Sequence, residues 1–328
     1  MDPRARVEAA LRQRPVDRPP AGAWGHAYRQ EWSPVELAAV TVDRARRLGW
    51  DFVKFQPRAS CFAEAFGSEY RPSGHSLRAP VLVRAAVGSA EDWRGLRLVN
   101  PRALEDQVEG IALTRRGLGP RVPLLQTVFS PLTVAGYLVG RSPARAVREL
   151  RSHPDLVLPA LDRIAETLGD FARRSVEAGA DGVFYAISGY ASAERMPRDA
   201  YVELALPLDR QVLAALPEAA WFNVLHVCGS RIYLDVARQL PVQAVSWSVH
   251  NRGNPSLAEG GRISGKAVMG GLGQRTTLLR GPADSIQREV QAAVRETGGR
   301  GLLLAPGCSV PPAAGEANLK AMMQAVAA

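Results

Sequence analysis

The sequence predicts an α/β protein: a (β/α)8 TIM barrel with a β-hairpin insertion after its second strand, built as one domain over residues 1–328. Three observations predict it. Eight short apolar runs recur along the chain, amphipathic helical patterns fill much of the space between them, and ligand-type side chains gather just past the C-terminal ends of the runs. An open doubly wound sheet is the alternative, but no GxGxxG follows the first run.

The expected strands are residues 21–25, 51–56 (DFVKFQ), 122–129 (VPLLQTVF), 181–186 (DGVFYA), 221–227 (WFNVLHV), 243–248 (QAVSWS), 266–270 (KAVMG) and 301–305 (GLLLA). Runs this short and apolar suit strands buried on both faces. Helices are expected over 33–48, 156–178, 199–216, 282–296 and 318–327. The first opens SPVE, with Ser33 as cap, Pro34 in the first turn and Glu36 closing a capping box. Asp155 is the expected cap of the second, and Gly179 lies just past its end. FSPLTVAGYL places Tyr137 on a further helix after the third strand. Residues 70–98 fit neither pattern, and their strand-like VLVRAAV is read as part of the hairpin insertion.

Composition narrows the function classes. Apolar residues make up 46% of the chain, enough for a large core. The start, MDPRARVEAALRQRP, has no apolar signal-like segment, and no stretch approaches the roughly 18 uncharged apolar residues of a membrane span, so a cytoplasmic protein is expected. Net charge is +9, nearly all of the positive charge being arginine, with Lys54, Lys266 and Lys320 the only lysines. The arginines form no block and accompany no nucleic-acid motif, so neither nucleic acid nor membrane is an expected partner. Three cysteines, Cys61, Cys228 and Cys308, are too few for a disulfide framework.

In a barrel, chemistry sits where strands end. That position gives His26, Gln56, Ser130, Ser188, His226 with Cys228, Ser248 with His250, Gly271 and Cys308. LHVCGS is the sharpest signal: two residues apart on a strand, His226 and Cys228 point to the same face. Cys308, in APGCSVPP, follows the eighth strand on a loop stiffened by Gly307 and Pro311–Pro312. One histidine and two cysteines suit zinc and leave a fourth position open for water or substrate. The alternatives are a core histidine with two buried thiols, or a cysteine–histidine pair without metal.

His250 is a candidate base or support residue, and Tyr137 a candidate pocket hydroxyl. His26, Gln56, Arg58, Ser188, Gly271 and Arg275 are candidates for substrate binding, the arginines for an anionic group. His75 and His153 fall away from the expected mouth, and Cys61 reads as a buried structural thiol.

These segments together resemble the uroporphyrinogen decarboxylase superfamily over nearly the whole chain. RVEAALRQRPVDRPP is similar to its first helix and strand, and FSPLTVAGYLV to its segment after the third strand. EAGADGVFYAISGYAS and LPLDRQVLAALPEAAWFNVLHVCGS resemble its fourth and fifth strands, and GLLLAPGCSVPPAAGEANLKAM its last strand and helix. The departures select a branch. WGHAYRQ stands where the porphyrinogen decarboxylases carry an arginine-containing RQAGR segment, FQPRAS where they carry an aspartate, and Cys308 where they carry a histidine; Tyr137 matches the family tyrosine.

HxC with a late cysteine resembles instead the zinc methyltransferase branch, which moves a methyl group from a corrinoid (cobalamin) carrier to a thiol such as coenzyme M. The resemblance implies Zn²⁺ held by His226, Cys228 and Cys308; it does not supply the fourth ligand, for which a carboxylate such as Glu64 and water are the candidates. It also implies a thiol substrate and a corrinoid protein as partner; a homodimer is a separate expectation. The rival expectations are a lyase acting on an anionic tetrapyrrole or another carboxylic acid, and a non-enzymatic corrinoid- or zinc-binding barrel.

Overall fold

In the computed structural model, which describes residues 1–327, seven parallel strands curl in the order β1 (Val53–Phe55), β4 (Leu124–Phe129), β5 (Gly182–Ile187), β6 (Val224–Val227), β7 (Ala244–Ser246), β8 (Ala267–Leu272) and β9 (Leu302–Pro306). The missing stave is the first expected strand. Leu304 N donates to Pro20 O at 2.8 Å and Gly22 N to Leu304 O at 3.2 Å, while Asp51 N, just before β1, donates to Ala21 O at 2.8 Å. Residues 20–22 therefore close the sheet between β9 and β1. They do so as a single bridge, Ala21 to Leu304, rather than as a strand. Pro19 and Pro20 have no N–H to give a ladder, which shortens the pairing.

Every residue of the seven strands is buried, as strands with one face on the barrel interior and the other on a helix layer must be. Aspartates lock the lower ends of two staves. Asp51 accepts from Arg6 (2.5 Å), Arg18 (2.6 Å) and Ala21 N (2.9 Å). Asp181 accepts from Leu124 N (2.8 Å) and Trp221 Nε1 (3.0 Å). The DF and DG at the starts of the second and fourth runs thus hold neighbouring segments in register.

The insertion is an antiparallel pair, β2 (Glu69–Arg71) and β3 (Val81–Arg84), with Tyr70 opposite Leu82 and an irregularity at Glu69/Tyr70. Helix Pro34–Leu48 begins and ends as its sequence indicates: Ser33 Oγ accepts from Glu36 N at 3.3 Å and Gly49 is left-handed at φ 69°. Its capping box is only half made, because Ser33 N donates to Gln30 O at 3.1 Å instead of to Glu36. A complete box occurs at Ser256 and Glu259, opening Leu257–Ser264, a helix the apolar pattern did not reveal.

The expected helix 156–178 starts two residues earlier, as Pro154–Glu177, with His153 at the cap and Asp155 inside the first turn. Proline is favoured at a first helical position, and Pro154 takes it. The expected helix 199–216 is two helices, Arg198–Leu204 and Leu206–Ala214, the second carrying Pro207 in its first turn. Among the described residues no helix is long and apolar enough to cross a membrane.

Candidate metal centre

His226 sits on β6 with its ring buried, and its Nδ1 lies 3.2 Å from Ser246 Oγ on β7, its register partner. Phe184 of β5 stacks on the imidazole, ring centroids 5.0 Å apart. Cys228 follows β6 by one residue, and its N donates to Ile187 O at 3.0 Å. Cys308 lies two residues past β9, on a loop held by Gly307 N to Leu272 O (3.0 Å) and Val310 N to Trp24 O (2.8 Å). The loop comes down tightly on the chain just past β7: a Cβ on Gly307 would meet Ser248 Cα at 2.6 Å. The backbone alone fits there, so glycine is required for close approach.

The result is one cluster. The imidazole nitrogen and the two sulfurs lie within 4.8 Å of one another. A tetrahedral zinc ion separates its sulfur ligands by roughly 3.8 Å, so these residues fit the ion without rearranging the backbone. Hydrogen bonding from Cys228 and the adjacent His226 holds the Cys308 thiol well below its ordinary value, against the opposing effect of burial. Cys228, on the other end of that bond, is pushed up by Cys308 and by burial. A metal ion takes both cysteines as thiolates, so binding one here would release their protons.

Above the cluster opens a cavity of about 500 Å³ whose lining includes Cys228, Cys308, His26, Tyr28, Gln274 and Arg275. No carboxylate of the described residues lines it. Arg141 lies beside Tyr137, its guanidinium 5.5 Å from the ring centroid. Tyr28 is raised by burial and by Glu31, and Arg141 and Arg275 oppose the rise.

His26 belongs to a chain of hydrogen bonds. Its Nδ1 lies 2.6 Å from Glu31 Oε1, and its Nε2 3.2 Å from Gln56 Nε2; Gln56 Oε1 accepts from the Lys54 ammonium. Since Gln56 donates to Nε2, His26 carries its proton on Nδ1 and donates to Glu31. Lys54 and Glu31 are thus a cation and an anion bridged by two side chains. Lys54 itself lies over Phe184, 4.7 Å from the centroid, and burial lowers it to about 7, with Cys308 and Glu31 opposing the fall.

Other candidates lie elsewhere. Arg58 is buried against Glu64, Nη2 to Oε2 at 2.8 Å, and also donates to Glu31 O at 3.0 Å. Each satisfies the other's charge, so Arg58 is not available to a substrate nor Glu64 to a metal ion. His250 Nε2 lies 3.3 Å from Gly271 O and 3.6 Å from Glu289, outside the mouth lining. Gly271, left-handed at φ 108°, turns its open face to Ala293 and Leu257, toward the helix layer rather than the mouth. Ser188 N donates to Thr133 Oγ1 at 3.0 Å, and Ser130 caps Pro131–Leu138; neither lines the mouth.

Tyr137 packs on Phe129, centroids 5.7 Å apart, and burial raises it. Cys61 is fully buried, and burial pushes its thiol up. The sequence reading missed Lys54, Glu31, Tyr28 and Arg141. Lys54 carried a signal, two residues before Gln56 on a strand and so on the same face. Arg141 carried none: its left-handed φ of 62° is a product of the folded loop.

Fold and cluster together define a parallel barrel with an imidazole–dithiolate candidate metal centre at its mouth. The chain belongs to the uroporphyrinogen decarboxylase (URO-D) family, whose match spans residues 2–328. It is 25% identical to methylcobamide:CoM methyltransferase MtbA of Methanosarcina acetivorans, over 98% of this chain and 96% of that protein. It is 32% identical to uroporphyrinogen decarboxylase of Syntrophotalea carbinolica, over 81% of this chain and 76% of the relative. The solved structure of a methyltransferase from Methanosarcina mazei is 25% identical and superposes with a TM-score of 0.83, covering 99% of this chain and 98% of the other. The likenesses that span both chains almost end to end support an enzyme of the methyltransferase type within this family.

Proposed function

We propose that the protein is a zinc-dependent methyltransferase that moves a methyl group from a methylated corrinoid to a thiol, using residues 1–328 as one domain. The observation that carries the reading is the cluster of His226, Cys228 and Cys308 within 4.8 Å under an open cavity. Three protein ligands leave one position free. Zinc bound there would supply the thiolate form of a substrate whose free pKa near 8.5 keeps it mostly protonated at neutral pH.

The chain's own residues do the rest. Cys228 and Cys308 place negative charge at the centre, which keeps a bound sulfur nucleophilic. Ser246 and Phe184 fix the His226 ring on opposite strands. Arg275 offers positive charge at the rim for a thiol bearing a sulfonate or carboxylate. The curated relatives named for methylcobamide and CoM suit that substrate class.

The decarboxylase reading rests on the Syntrophotalea relative. Against it, the mouth holds two cysteines and, among the described residues, no carboxylate. The test is a cobalt-substituted protein titrated with anionic thiols. Its visible spectrum should shift and about one proton should be released per thiol bound. A panel of such thiols that leaves the spectrum unchanged overturns the reading.

A further inference from the structure

The sulfurs of Cys228 and Cys308 lie within 4.8 Å of each other. Backbone contacts bring them together. Cys228 N donates to Ile187 O at 3.0 Å, which ties the chain past β6 to the end of β5. Gly307 N to Leu272 O (3.0 Å) and Val310 N to Trp24 O (2.8 Å) hold the loop of Cys308 down on either side of it. Both cysteines are half-buried and line the mouth cavity, which opens the pair to small solutes. Cys61, the third cysteine, is fully buried on the short helix Cys61–Ala65.

Two sulfurs so placed have a second chemistry besides holding a cation. A disulfide has its sulfurs about 2.05 Å apart. From a separation of 4.8 Å or less, closing the bond takes at most about 2.8 Å of approach, shared between two side chains that each turn about Cα–Cβ. An oxidised thiol with another thiol in reach condenses to a disulfide, which is reversible, whereas an isolated one goes on to sulfinic acid. The thiolate is the form that binds metal, so a disulfide cannot serve as two ligands. Closing this one would leave His226 alone of the three, because Cys228 and Cys308 are the only sulfurs of the cluster.

We infer that Cys228 and Cys308 are a redox switch on the metal centre: a hydroperoxide closes them to a disulfide that empties the site, and a thiol reductant reopens it. In the first step one sulfur, as thiolate, attacks a peroxide oxygen. The O–O bond breaks, a sulfenic acid forms, and the leaving oxygen takes a proton to become water or an alcohol. In the second step the other sulfur, as thiolate, attacks the sulfenic sulfur. The S–O bond breaks, the S–S bond forms, and the departing hydroxide takes a proton to become water. The two cysteines together give up two electrons and the peroxide takes both. Thiol–disulfide exchange returns them, with the reductant leaving as its own disulfide. Cys61, enclosed in the core, takes no part.

Intact mass and peptide mapping of metal-free protein treated with hydrogen peroxide test this. The chain should lose about 2 Da, the Cys228 and Cys308 peptides should be recovered joined, and Cys61 should remain a free thiol. The oxidised protein, shown by circular dichroism to be folded, should take up zinc about a hundredfold more weakly or worse, and dithiothreitol should restore both mass and uptake. Zinc-loaded protein should release its ion to a chromogenic chelator as the disulfide appears. Cys228→Ser and Cys308→Ser proteins should gain oxygen at the remaining sulfur instead of losing mass. Peroxide that leaves both thiols free or carries each separately to its sulfinic acid, chains joined to one another in place of an internal bond, a pairing with Cys61, or zinc uptake unchanged in the disulfide form would each overturn the inference. The disulfide is read in metal-free protein and needs no methyl donor, so its failure leaves the methyltransferase reading standing, and failure of methyl transfer leaves this pair standing.

Discussion

Lys54 holds its ammonium 4.7 Å from the centroid of the Phe184 ring, in a barrel interior where no carboxylate of the described residues is in direct contact, and Phe184 in turn stacks on His226. The positive charge therefore sits one ring away from the candidate metal ligand. It is countered by Cys308 and, through Gln56 and His26, by Glu31.

That arrangement predicts a pH-dependent stability. Lys54 is lowered from 10.5 to about 7 by burial. Between these values the folded protein binds fewer protons than the unfolded chain, so this group's penalty is full below pH 7 and is relieved as pH rises toward 10.5. Metal-free Lys54→Met should gain stability relative to the parent at pH 6, and the gain should shrink by up to about 1.4 kcal/mol per pH unit above 7. Loss of the Gln56 contact offsets part of the gain by a constant amount. Urea unfolding of both proteins at pH 6 and pH 9 checks this; a difference that does not vary with pH contradicts it.

Arg58 and Glu64 are a buried pair, and the structure gives them a structural task. Glu64→Gln should cost about 3–5 kcal/mol, since it leaves the guanidinium buried without its counter-charge. The same variant should keep its zinc. Metal analysis alongside thermal unfolding separates the two effects, and loss of zinc from a folded Glu64→Gln protein would make Glu64 a ligand after all.

Gly307 permits the loop of Cys308 to rest on Ser248. Gly307→Ala has nowhere to put its methyl except into backbone, so the loop must lift and carry Cys308 away from His226 and Cys228. Zinc affinity should fall roughly 10–100-fold, the range seen when residues supporting metal ligands are changed. Competition with a chromogenic chelator measures it. Parent-like affinity in the variant would mean that the loop position does not govern the centre.

At the rim, Arg275→Met should raise KM for thiols carrying a sulfonate or carboxylate about tenfold and leave KM for a neutral thiol such as 2-mercaptoethanol unchanged. Equal effects on both thiols would place Arg275 outside the binding of the anionic group.

Much of this was legible in the sequence where a period decides the answer. VPLLQTVF, DGVFYA and KAVMG read as strands because a barrel stave buried on both faces has little room for polar residues, and each became one. The two-residue step from His226 to Cys228 puts both side chains on one face of an extended chain. Cys308 joined them because a closed barrel brings the ends of β6 and β9 to one mouth. The rest depended on partners that spacing does not encode. Arg58 looked like an anion binder until Glu64, six residues on, folded back onto it. His250 follows a strand end, as His26 does, yet one turns to Gly271 and Glu289 and the other to the mouth. Loop side chains take their direction from tertiary contacts, and no periodicity governs them.

The account turns on one reaction. Zinc-loaded protein, methylcobalamin and a sulfonate thiol such as coenzyme M should yield the methyl thioether, followed by loss of the methylcobalamin absorbance and by proton NMR of the product. His226→Ala and Cys308→Ser proteins, shown to be folded, should lose at least a hundredfold in rate, about 2.7 kcal/mol of transition-state stabilisation. If the His226→Ala protein methylates the thiol as fast as the parent, or if the parent leaves every anionic thiol unmethylated while decarboxylating uroporphyrinogen at an enzymatic rate, the candidate centre does not do what is proposed here.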